Sequence, residues 1–169
     1  MSYRPTTPFI PSMQGEKLKT EIDGIILEGN KKFLIQTRKA LSLLKKSVPF
    51  LYRRIILAGI KKIKPHKTSG MNLFAKIPTY EVSERTAFSS LKWYASTIAH
   101  EAYHSKLYFD YKNKRKGQVP RKVFASAEAE LQCIKFQTKV AKRIGAPTAD
   151  IKYLKSLDGS HAKLEKIDW

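Results

Sequence analysis

The chain is poor in acid, in cysteine and in histidine. Of its 169 residues only 14 are Asp or Glu, against 33 Lys or Arg, for a formal net charge of +19. An excess of that size predicts attraction to polyanions such as nucleic acid, acidic lipid headgroups or an acidic protein. The single cysteine, Cys133, excludes an internal disulfide framework. Long apolar runs are missing too: IILAGI at 55–60 is far too short to span a bilayer. Nothing near the N-terminus reads as a signal peptide. The expectation is therefore a protein with no transmembrane segment, cytoplasmic or exported without a recognisable signal. A chain of this length is one domain by default, large enough to bury a real core.

Residues 1–20 carry three prolines and little periodicity, and read as a flexible or extended arm ahead of a single domain at 21–169. Residues 22–27 (IDGIIL) add a strand or a first helical turn. From Lys31 to Val48, Phe33, Leu34, Ala40, Leu41 and Leu44 recur at helical spacing. Basic doublets at 31–32, 38–39 and 45–46 fall on the opposite side, and Pro49 ends the helix. Between Asn30 and Tyr80 there are 13 Lys or Arg and no acid. This 31–67 face is either a phosphate-binding surface or a solvated helix side. With so few aromatics among its lysines, nucleic-acid contact there would be nonspecific.

Two strands are expected next, Ile55–Lys64 and Met71–Val82, separated by the turn-forming PHKTSG. Pro78 lacks a ladder donor, so the second run should be an edge strand, able to pair with an extended peptide. A helix without a sharp cap should follow and run to about Asn113, then an exposed basic loop at 112–122. A second long helix is expected over 125–144, with a Gly145-Ala146-Pro147 stop, and a short one over 148–157.

The four histidines stand at 66, 100, 104 and 161, and two of them form His100-Glu101-Ala102-Tyr103-His104, an HExxH sequence. Positions i and i+4 share a helix face, so both imidazoles can reach one Zn2+ ion. Glu101, between them, can reach a water on that metal and act as general base. A third ligand is needed, and the 125–144 helix offers Glu128 and Glu130. Glu130 follows the apolar stripe through Cys133, Ile134, Val140, Ala141 and Ile144, whereas Glu128 leads to a more mixed face. Glu130 is therefore preferred, with Glu128 the alternative metal ligand. Gln137 could support a ligand by hydrogen bonding or be a core-edge polar group. His161, after Asp158-Gly159-Ser160, is the candidate oxyanion donor, with Tyr103 and Tyr153 weaker ones. Cys133 is disfavoured as a nucleophile.

An HExxH helix, a loop, then a helix with Glu and a small residue three positions on resembles the gluzincin clan of zinc metallopeptidases. Here the resemblance rests on His100, Glu101, His104 and Glu130-x-x-Cys133, over about residues 80–145, with Cys133 where alanine is common. The metzincin extension is absent, because SKLYFD follows His104. The resemblance implies an α+β, zincin-like fold. A small twisted sheet would pack on the HExxH helix, its edge strand above a cleft and the Glu helix below. It also implies hydrolysis of a protein or peptide substrate. The alternative is a basic nucleic-acid or polyanion-binding protein whose HExxH segment is structural or vestigial.

Overall fold

The computed structural model describes residues 16–160. It is an α+β fold with a five-stranded mixed sheet. Strands β1 (Leu18–Ile22) and β2 (Ile25–Gly29) form an antiparallel hairpin. Its turn residues, Asp23 and Gly24, both have positive φ, the geometry that matches the twist of a two-residue hairpin loop. The carboxylate of Asp23 accepts from Lys45 Nζ at 2.9 Å and Tyr52 Oη at 2.9 Å, tying the turn to the helical layer. β1 thus begins inside the stretch read as an arm; residues 1–15 lie outside the described residues.

Helix α1 (Lys31–Ser47) is capped by Asn30, whose side chain accepts from Phe33 N, and buries the stripe expected of it. The three basic doublets are all exposed on its other side. Pro49 does more than end α1: it starts a second helical segment at residues 49–59, in the first-turn position where its missing N–H costs nothing. That segment contains a π-helical turn, Tyr52–Ile56, and reaches Gly59. The strand expected at 55–64 is therefore shorter, β3 at Lys62–Pro65. Burial of Tyr52 and Ile56 on one helical face overrides the β preference of two adjacent isoleucines.

The second expected strand divides in two. β4 (Gly70–Asn72) is a sheet edge, and β5 (Thr79–Val82) lies inside, in the order β1-β2-β3-β5-β4. Pro78 is not an edge residue within a strand; it stands just ahead of β5, and its carbonyl accepts from Lys61 N and Lys62 N. β2–β3 and β3–β5 pair in parallel, β4–β5 antiparallel.

Ser83 caps a short helix at Glu84–Ala87, and Ser90 caps the long motif helix Leu91–Lys114 by accepting from Trp93 N. The uncapped start expected there is corrected by these serine side chains. The motif helix buries Tyr94, Ala95, Ile98, Ala99 and Ala102 against the sheet and α1. Tyr94 Oη meets Thr37 Oγ1 at 2.9 Å within that interface. Two further helices follow, Ala127–Arg143 and Thr148–Ser156. No described helix is long and apolar enough to cross a membrane.

The motif helix also sits against Gly59. A Cβ there would lie 2.7 Å from Ala102 O and 3.1 Å from Ser105 Cβ, contacts that backbone cannot relieve cheaply. Gly59→Ala is expected to destabilise the fold by about 1–3 kcal/mol, as overpacked sites do. Thermal unfolding checks this, and an unchanged melting temperature would show that the helices can part there.

Candidate metal centre

His100 and His104 project from one face of the motif helix, with ring centroids 4.9 Å apart and Nε2 atoms 3.1 Å apart. Glu130, from the first turn of the Ala127–Arg143 helix, closes the group. Its Oε1 lies 3.1 Å from His100 Nε2 and its Oε2 lies 3.2 Å from His104 Nε2. All three side chains are largely buried. The same turn carries Glu128 on an exposed face, away from the histidines. Ser126 caps this helix by accepting from Ala129 N, which fixes where its first turn begins.

The outer nitrogens decide what the inner ones are. His100 Nδ1 faces Gln137 Oε1 at 2.9 Å, while Gln137 Nε2 donates to Ser96 Oγ at 3.1 Å. Ser96 Oγ in turn donates to Trp93 O at 2.8 Å, so it can only accept from the amide. Gln137 therefore presents its carbonyl to His100, and His100 Nδ1 must donate. His104 Nδ1 faces the Phe124 carbonyl at 2.7 Å and must donate as well. Neutral imidazoles so oriented carry lone pairs on both Nε2 atoms.

With both imidazoles neutral, two lone pairs and a carboxylate at 3.1–3.2 Å repel one another; a proton on an Nε2 or a metal ion between the three groups relieves that repulsion. Donors about 2.0–2.1 Å from a tetrahedral zinc stand roughly 3.3 Å apart, so the spacing matches shared coordination. Imidazole and carboxylate donors also suit zinc chemically. Burial works against charge on Glu130, but hydrogen bonding with His100 and His104 outweighs it and holds the carboxyl well below its usual range. Burial likewise opposes charge on His104, yet Cys133 and Glu130 draw its pKa upward. A proton and a metal ion compete for the same lone pair, so a metal binding here must displace that proton.

Cys133 completes the neighbourhood. One turn after Glu130 on the same helix and fully buried, it offers a thiol whose sulfur falls within 4.8 Å of the ligating atoms of His100 and His104, themselves within that distance of each other. Burial raises its pKa above the usual thiol range.

The centre opens on a cleft of about 1930 Å3 whose lining includes His100, Glu101, Glu130, Gln137 and the β4 residues Gly70, Met71 and Asn72. Phe74, Tyr108 and Phe124 pack edge-on at 5.3–6.3 Å along its wall, which also holds the Phe124 carbonyl toward His104. Tyr153 lines the cleft beside Trp93, whereas Tyr103 stacks on Phe136 at 4.8 Å in the core. His161 lies outside the described residues; the Gly159 before it has a positive φ and packs so closely on Ala127 O that a Cβ would collide.

The Phe124 carbonyl has no signature in a sequence, because any residue could supply it. Cys133 had one: it is three residues from Glu130, hence on the same helical face. Gln137→Leu is expected to free the His100 ring and weaken metal binding by about 10–100-fold, the usual effect of removing an outer partner. Competition with a chromophoric chelator measures it; unaltered affinity would make Gln137 a packing residue. No family model, curated protein or solved structure matches this chain.

Proposed function

We propose that this chain is a zinc-dependent metallopeptidase of the gluzincin type, with His100, His104 and Glu130 holding the metal. The convergence of two imidazole Nε2 atoms and one carboxylate at 3.1–3.2 Å carries the reading. Zinc at such a site supplies Lewis acidity, polarising a scissile carbonyl and acidifying a water.

The chain's own residues do the rest. Glu101, half-buried in the cleft wall, accepts the proton of the attacking water and delivers it to the leaving amine. β4 supports a peptide substrate: it is one of the two sheet edges, and Gly70, Met71 and Asn72 line the cleft. An extended peptide could add there as a further strand, its backbone held by ladder hydrogen bonds. His161 stays the proposed oxyanion donor.

Metal analysis of purified protein together with hydrolysis of an unfolded protein substrate tests the proposal. Near-stoichiometric zinc and chelator-sensitive cleavage are expected; protein that takes up no zinc would overturn it. A second reading, polyanion binding, is favoured by the exposed doublets on α1, a helix that contributes nothing to the cleft. Binding to duplex DNA that weakens steeply with salt would support it, and no binding at low salt would end it.

A further inference from the structure

The Cys133 thiol has no task in the mechanism above, yet it sits where a donor atom would. It shares the Glu130 helix face at i+3, it is fully buried, and its sulfur lies within 4.8 Å of both histidine donors. Those two donors are not free to turn away, since Gln137 and the Phe124 carbonyl hold their outer nitrogens. An inert core cysteine would be expected among apolar neighbours alone; this one has two imidazole donor nitrogens within 4.8 Å.

We infer that Cys133 is a fourth protein ligand, a thiolate that closes the metal site in its resting state. The inference rests on the zinc reading above and adds a regulatory layer to it. Coordination breaks the S–H bond, forms an S–metal bond and releases the proton to solvent, with no change in oxidation state. A tetrahedral zinc held by two imidazoles, a carboxylate and a thiolate has no open position, which is the mark of a structural site; a catalytic one keeps a position for water. Cys133 and the attacking water therefore compete for one place. Hydrolysis requires the sulfur to leave, and removing it leaves the site permanently open. A thiolate also biases the site toward softer metals such as zinc, cobalt and cadmium over magnesium and manganese.

Cobalt substitution tests this directly. Thiolate–Co2+ bonds give an intense near-ultraviolet charge-transfer band, whereas tetrahedral nitrogen and oxygen ligation gives only visible d–d bands. The chain has a single cysteine, so such a band in the wild-type protein can come from no other residue. The expected result is the band in the wild type and its loss in Cys133→Ser and Cys133→Ala, both retaining d–d absorption. Should either variant fail to fold, the wild-type spectrum still decides. Wild-type protein that shows d–d bands without charge transfer would overturn the thiolate ligand and leave the zinc site standing. Protein that binds neither cobalt nor zinc would overturn both.

Discussion

Replacing Glu101 by Gln is expected to leave zinc bound while peptide hydrolysis falls by about 10²–10⁴-fold, the usual contribution of a positioned general base. The substitution keeps the side chain's size and removes its basicity. Glu101 follows His100 by one position, about 100° further round the helix, so it is not on the face that His100 and His104 share. It lines the same cleft as His100 and Glu130. Metal content and rate should therefore separate, which no loss of folding would mimic. Zinc analysis and kcat on one peptide substrate make the comparison. A metal-loaded variant with undiminished kcat would move the base elsewhere, and a variant that loses zinc would make Glu101 a ligand.

How much of this could be read beforehand depends on whether the information is periodic. The histidine pair, the buried stripe of α1 and the preference for Glu130 over Glu128 all follow from 3.6-residue spacing, and side chains at those positions lie where helix geometry puts them. Gln137 was visible for the same reason, two turns on from Glu130. What escaped was not periodic. The helical stretch at 49–59 contains a π turn, and no spacing rule separates Ile55 and Ile56 in such a turn from the same pair in a strand. Pro78 signalled a disrupted ladder correctly, but the disruption is a gap between β4 and β5 rather than an edge position. The Phe124 carbonyl belongs to the backbone of a loop, and its place depends on three aromatic rings packing far apart in sequence.

The second large effect is expected at Glu130. In Glu130→Ala zinc affinity should fall at least about 100-fold, since loss of an outer partner alone costs 10–100-fold and this group sits 3.1–3.2 Å from both histidine nitrogens. Glu128→Ala should be indistinguishable from wild type, because that side chain is exposed on another face of the same turn. Both substitutions remove one negative charge from one helix start, so any difference between them cannot come from net charge or the helix dipole. Thermal unfolding with and without zinc reads the contrast. A ligand present at 100 times its Kd stabilises a fold by about 2.7 kcal/mol, or roughly 5–10 °C for a chain of this size. That shift is expected in the wild type and in Glu128→Ala and is expected to vanish in Glu130→Ala. Equal shifts in both variants would remove Glu130 from the coordination sphere and leave the histidines with Cys133 as the remaining donor set.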